Sequence, residues 1–456
     1  MGKAIRIVVE FKVEVKVPLG GASGDDLALA VGRARDQFGR DLMRLSIEGI
    51  QEAIIERERL PRRAARHGAW QKPGKRPCRC RSFTKQGFRH GGRSIRTHIG
   101  EVGFRVRNVR CRRCGEKYSP ILRFLDLGER KRRLSSLEKI VAEVVAVETY
   151  GKSEELVEKA TGDRIPDATM HGWMADIDWD GLDLGRYKRP RTAMADGTGV
   201  KMRGGARGEL RVVIGLDGRN KPFPLGVYSG TPWERIGPEV KERLKDRGQA
   251  WLLLHDGEIG IDEHLAGIAG RSGRCRWHMP RGVKYALWGD GVGKDEQEEY
   301  ARRLRGILGV EVPADDWQEL DAGDLEPLRK ELAGARGAYR KLVDEFGSRG
   351  YAKAREYLSN AMGKVFTQVE TWLDTGVVMP GTISQLEGIM RELGRRLKKL
   401  GYNWSDEGIV RVARILLKKT HEPDAWDEHW VKLGDIRGRC RVVIREVRIA
   451  ELSIIG

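Results

Sequence analysis

No apolar run in these 456 residues approaches the ~20 that a membrane-spanning helix needs. The N-terminus lacks the charged, then apolar, then small-residue pattern of a secretory signal. Both absences predict a soluble, cytoplasmic protein with no membrane partner. Cysteine is scarce, six in the whole chain, which excludes a disulfide-built scaffold and leaves reduced thiols, ligands or core residues. No internal repeat stands out, and no Ser, Tyr or Cys nucleophile signature offers a carrier for a covalent intermediate. Acids are missing from one place in particular. Residues 61–133 hold 23 Lys or Arg against four acids, while the rest of the chain balances at 62 of each sign, so the formal charge of +19 sits in that segment. With Trp70, Phe83, Phe88, Phe104 and Tyr118 interleaved, it has the footprint of a surface for phosphate backbones; a solvated or membrane-surface basic run is the alternative.

The length predicts two to four folding units. Residues 4–17 alternate apolar and charged side chains like an amphipathic strand, and a long helix is expected from Asp25 to about Arg59, with Leu27, Val31, Phe38, Leu42, Leu45, Ile50 and Ile54 at helical spacing. This segment, 1–60, suits packing or dimerisation. Residues 61–130 are rich in Arg, Gly and Pro with short alternating pieces, a small ribbon that needs a staple other than a large core. Residues 131–190 read as two or three helices broken at Gly151, Gly162 and Pro166, either a helix-turn-helix reader or a plain helical bundle.

From 191 to 294 the pattern becomes α/β: three successive strands (TAMADGTGVKM, GELRVVIGLD, KPFPLGVYSG) with a turn at Asp217-Gly218, a helix, and the apolar strand WLLLHDG. A helix from Glu258 to about Ala269, a strand RCRWHM and a helix from Arg281 complete the series. That order fits an RNase-H-like sheet. Residues 295–375 read as a charged helical insertion and 376–425 as a helix, near Thr382, with its extension. The tail, 426–456, ends in strand-like alternation.

Phosphodiester chemistry assisted by two metal ions needs carboxylates gathered from separate elements, because Mg²⁺ takes hard oxygen ligands. Asp196 stands mid-strand in TAMADGTGVK, Asp256 ends the most apolar strand, and Glu387 opens a helix followed by Arg391, Arg395, Arg396, Lys398 and Lys399. Each alone also reads as a strand-end, turn or surface acid. Glu392 competes for the third place. Cys275 and His278, taken by themselves, read as core packing. Cys78-Arg-Cys80 and Cys111-Arg-Arg-Cys114 are two close pairs that suit four thiolates on one Zn²⁺, although the first is tighter than the common spacing; four unrelated thiols is the alternative.

These pieces together resemble a Mutator-like DDE transposase of the prokaryotic insertion-sequence group. The likeness runs over most of the chain through ADGTGVK, LLHDG, the CRWH of Cys275 to His278, and LEGIMRELGRRLKKLGYNWSDEGI, with the paired cysteines and THIGEVGFRVRNVRCRRCGEKYSP upstream. The resemblance implies an RNase-H-like core with a helical insertion, preceded by a small zinc-ribbon-like module and a helical DNA-binding segment. It further implies a catalytic triad of Asp196, Asp256 and Glu387 holding Mg²⁺ or Mn²⁺, and Cys275 and His278 near that site. Structural zinc on Cys78, Cys80, Cys111 and Cys114 would order Arg79, Arg105, Arg107, Arg110, Arg112 and Arg113 against DNA, with Arg391, Arg395 and Lys398 as further contacts. The implied partners are terminal inverted repeats and target DNA, both double-stranded, bound by a homodimer or larger assembly at the prokaryotic nucleoid. A nuclease of the same fold lacking strand transfer, and a transposase-derived DNA-binding regulator, are the other readings.

Overall fold

The structure is a computed structural model that describes residues 5–18, 22–56, 83–128, 131–177, 188–313, 322–400, 403–436, 438 and 440–444. The chain divides into two compact units, one comprising Met1–Val145, Tyr150–Asp176 and Asp427–Gly456, the other Ala146–Thr149 and Ile177–Trp426. No helix among the described residues is long and apolar enough to cross a membrane.

In the first unit α1 (Gly24–Glu56) lays the apolar side of its C-terminal half on the hairpin of β2 (Arg93–Thr97) and β3 (Gly100–Phe104) and on α2 (Pro120–Phe124). Ile47, Ile95, Val102, Phe104, Ile121 and Leu122 form that core. A second small sheet runs in the order β1-β4-β5, from β1 (Phe83–Phe88), β4 (Arg107–Cys111) and β5 (Lys117–Tyr118). Buried Gln51 joins helix to ribbon, donating to the Arg105 carbonyl at 3.2 Å and accepting from the Arg107 amide at 2.8 Å. Three helices follow, α3 (Ser135–Val147), α4 (Tyr150–Thr161) and α5 (Asp167–Asp176). The first break falls at 148–149, and Gly151 lies inside α4.

The amphipathic strand expected at 4–17 is not one: residues 5–18 carry no strand pairing. Their alternation is real, but a helix covers its apolar side only as far as Phe11, and Val13, Val15 and Val17 stand exposed. The Phe11 ring lies 4.3 Å from that of Phe38, and Ile7 reaches to 3.2 Å from where a Cβ on Gly49 would stand.

The second unit is built on a five-stranded sheet ordered β10-β9-β6-β7-β8. Its first three strands, β6 (Thr192–Lys201), β7 (Arg207–Leu216) and β8 (Pro222–Ser229), form an antiparallel meander. The Asp217 carboxylate turns the chain between β7 and β8 by accepting from the amides of Arg219 and Lys221. After α6 (Trp233–Leu244), β9 (Ala250–His255) pairs parallel to β6, and after α7 (Ile261–Leu265), β10 (Ala269–Arg274) pairs parallel to β9. Ala193, Ala195, Val213 and Leu253 point to the face that α6 and α7 cover.

One strand differs from the sequence expectation. The fifth is AGRSGR at 269–274 rather than RCRWHM, and α8 (His278–Gly289) begins at His278 rather than Arg281. The sequence AGRSGR shows no apolar alternation, yet the open edge of β9 offers its backbone a complete parallel ladder. Beyond it α8, α9 (Lys294–Ile307), α10 (Ala322–Ser348), α11 (Ala352–Ala361) and α12 (Thr367–Thr375) share a core of their own, with Tyr339, Phe346, Leu358 and Val369 at its centre. The chain then returns to the sheet as α13 (Ser384–Gly394), which lies against β6 and passes into a π-helical turn at Arg395–Lys399. The last helices are α14 (Asp406–His421) and α15 (Pro423–Leu433), the latter belonging to the first unit from Asp427 on. The strand-like tail falls partly on 440–444, which form no strand, and otherwise outside the described residues.

Candidate active site

Register brings the acids together. In the parallel pairing of β6 with β9, Ala195 stands opposite His255, so the next residues in line are Asp196 and Asp256. Arg274 stands opposite His255 on the other side, which puts Cys275 next in the same row, its amide donating to the His255 carbonyl at 2.8 Å. Side chains alternate along a strand. Ala193 and Ala195 face α6 and α7, so Asp196 shares the opposite face with Thr192, whose hydroxyl touches the Met379 sulfur at 3.1 Å just ahead of α13. Glu387 lies in the first turn of α13.

The Asp196 carboxyl is pushed up to about 7, first by burial and then by the charge of Asp256, with Glu258 and Glu387 adding to it. The Gly197 amide, donating to Asp196 Oδ1 at 2.9 Å, offsets only part of this. Among the described residues neither Asp196 nor Asp256 has an ion-pair partner. Crowded hard oxygens short of a cation are the donor set that a divalent ion such as Mg²⁺ takes. No three His, Cys, Asp or Glu side chains among the described residues already surround one point.

His278, the first residue of α8, links the row to α13. Its Nε2 stands 3.1 Å from Glu387 Oε1 and its Nδ1 3.2 Å from Cys275 Sγ. Burial holds the imidazole below its ordinary range against the pull of Glu387 and Asp256, and burial pushes the Cys275 thiol up. Glu392 turns elsewhere, accepting from Thr420 Oγ1 at 3.3 Å on α14. Lys398 donates to Thr198 Oγ1 at 2.5 Å, two residues from Asp196. Arg391 and Arg395 are exposed, whereas Arg396 is buried over the Trp404 ring at 4.8 Å.

Glu258 escaped the sequence reading, which took it for the start of a helix. Its amide donates to Asp256 Oδ1 at 2.9 Å, and its carboxylate accepts from Trp233 Nε1 at 2.6 Å and pairs with Arg211 at 3.4 Å. Burial raises its pKa despite these partners. Its place two residues after Asp256 was the available signal.

In the first unit, Cys111 is buried at the end of β4 and its sulfur accepts from the amides of Arg113 at 3.3 Å and Cys114 at 3.4 Å. This is a tight turn around one sulfur, with Cys114 exposed. Cys78, Arg79 and Cys80 lie outside the described residues. Arg110, Arg112 and Arg113 are exposed. Arg105 and Arg107 pair with Glu48 and Glu52 of α1, and their guanidiniums lie 4.9 and 4.0 Å from the Phe88 ring centre.

No family model matches the chain, and no curated protein does. Among solved structures, that of a simian T-cell lymphotropic virus intasome in complex with PP2A regulatory subunit B56 gamma matches at 9% identity and a TM-score of 0.15. The match spans 35% of this chain and 66% of that one, and a score that low carries no argument.

Proposed function

We propose that the chain is a Mutator-like DDE transposase, soluble and cytoplasmic, which binds double-stranded transposon ends and target DNA as at least a homodimer. Its reaction is hydrolysis of the phosphodiester at the transposon end, followed by in-line attack of the freed 3′-hydroxyl on target DNA. The observation that carries the reading is Asp196 pushed up to about 7 on a central strand, with the charges of Asp256, at the end of its parallel neighbour, and of Glu387, on a returning helix, among the causes. The meander followed by two parallel strands supports an RNase-H-like core.

Asp196, Asp256 and Glu387 would hold Mg²⁺ or Mn²⁺, which when bound neutralises their charge and polarises the phosphodiester and its attacking oxygen. His278 acts on Glu387, orienting the carboxylate that the helix carries to the strand ends. Lys398, tied to Thr198 two residues further along the strand, would face the phosphates of the bound DNA. For the basic unit we propose zinc on Cys78, Cys80, Cys111 and Cys114, with Arg110, Arg112 and Arg113 against phosphates; the tight turn of two amides onto Cys111 Sγ supports a ligand there.

The test is a Mg²⁺-dependent strand-transfer assay on labelled DNA carrying the gene's own flanking ends, with the natural chain, Asp196→Asn and Glu387→Gln. Joined products from the natural chain alone are expected. Cleavage without joining would replace the reading with a nuclease, and binding with neither, across metals and end lengths, with a DNA-binding regulator.

A further inference from the structure

Three large aromatic side chains of the second unit stand in solvent along one stripe of α8. Trp277, just before the helix and already in helical conformation, is 58% exposed, Tyr285 62% and Trp288 73%. At 3.6 residues per turn, Trp277, Arg281, Lys284, Tyr285 and Trp288 fall within a face roughly 100° wide. Met279, Val283 and Leu287 on the other side fill the helical core, so the stripe is not needed to hold α8 in place. So much aromatic surface in water is a cost that marks an interaction site.

The stripe is also cationic. Lys284 is paired with Glu298 at 2.6 Å, but exposed Arg281 has no carboxylate partner among the described residues, and its guanidinium stands 5.8 Å from the Tyr285 ring centre. Its beginning joins the acidic row: the Trp277 ring meets His278 edge to face at 4.9 Å, and His278 stands 3.1 Å from Glu387.

We propose that this stripe is a stacking platform for unpaired nucleotides of the DNA strand whose phosphodiester lies at the carboxylates, an inference that rests on reading the site as one that processes DNA. Exposed π-faces with an unpaired guanidinium among them match what single strands present, bases to stack and phosphates to pair. A closed duplex hides its base faces, so the platform distinguishes a frayed, nicked or overhanging end from intact helix. The stripe is ~16 Å long at 1.5 Å per residue, room for roughly five stacked bases at 3.4 Å each.

The test uses the full chain with labelled DNA, either a blunt duplex or the same duplex with a five-nucleotide overhang carrying 2-aminopurine. The natural chain, Tyr285→Ala/Trp288→Ala and Arg281→Ala are compared by anisotropy and 2-aminopurine emission, and each preparation is assayed for Mg²⁺-dependent cleavage and for self-association by sedimentation. The natural chain should prefer the overhang at least about fivefold and quench the probe, and the aromatic double variant should lose both effects while still binding the blunt duplex. No overhang preference in the natural chain, or a preference that survives the double substitution, would overturn the proposal. So would a double variant altered only in self-association, which would make the stripe a contact between copies. Preference carried by the stripe with no cleavage from any preparation would keep the platform and sink the transposase reading; cleavage with no preference would do the reverse.

Discussion

Replacing Asp196 by Asn should stabilise the metal-free protein, and only above acid pH. The amide has the same shape and can still accept from the Gly197 amide. What it removes is a carboxylate whose pKa rises from 3.8 to about 7 in the fold. Below pH ~4 the group is protonated folded or unfolded and contributes nothing; between there and pH ~7 the folded state holds a proton that the unfolded state gives up, so stability falls as pH rises. The displacement is about 3 units at 1.36 kcal/mol each, a ceiling of about 4 kcal/mol reached above pH 7. At roughly 2 °C per kcal/mol for a unit of this size, Asp196→Asn should melt about 8 °C higher than the natural chain at pH 8 in EDTA, with no gap at pH 4. Mg²⁺ at pH 8 should raise the natural chain's Tm and leave the variant's nearly unchanged. Calorimetry over pH 4 to 8 decides the matter. A gap that does not depend on pH, or one that grows toward acid, would refute the argument that Asp196 sits uncompensated among carboxylates.

Three further outcomes are expected. His278→Ala, which leaves Glu387 without its 3.1 Å partner, should lower Mg²⁺-dependent DNA cleavage by about 10- to 100-fold with DNA affinity unchanged, measured as cleavage rate beside anisotropy. Gly257→Ala meets a backbone at φ +106° and a Cβ position 1.8 Å from the Arg274 guanidinium, so a loss of at least ~1 kcal/mol is expected in thermal melts; Arg274→Ala added to it should recover only part, because the backbone strain remains. A strong zinc chelator should expose the basic unit to protease around 83–118 while leaving the pH-dependent Tm gap of Asp196→Asn in place, and a purified chain without zinc by atomic absorption would refute the cysteine assignment.

How much of this was written in the sequence varied with what each residue depends on. The helices of the insertion and the strands β6 to β9 are legible because their apolar residues keep the period of the element that buries them. β10 is not, since Ala269, Gly270, Arg271, Ser272, Gly273 and Arg274 become a strand only through the ladder that β9 supplies. The N-terminal alternation misled for the converse reason: a period of two needs a partner strand to become a sheet, and here α1 covers Ile7 and Phe11 while Val13, Val15 and Val17 remain exposed. Among the candidate residues, Asp196 and Asp256 were marked by their strands, whereas Glu258 had only its place two residues after Asp256 to mark it, and its contacts with Asp256 and Trp233 depend on how the turn after β9 folds.

Two half-buried acids of the same unit stand in contrast. Asp262, in the first turn of α7, is met by His255 Nε2 at 3.0 Å, by the Ser272 hydroxyl and by Lys364 Nζ at 2.9 Å. Those partners outweigh its burial and hold its carboxyl well below the usual range, as expected of a carboxylate that the fold uses to tie β9, β10 and the insertion together. Asp196 has one amide and a ring of like charges. The fold can satisfy a half-buried acid here, and does so at Asp262, with a histidine drawn from the residue next to Asp256 itself. Leaving Asp196 unsatisfied lowers the stability of the empty protein, and a cost of that kind is typical of sites arranged for a ligand that arrives later.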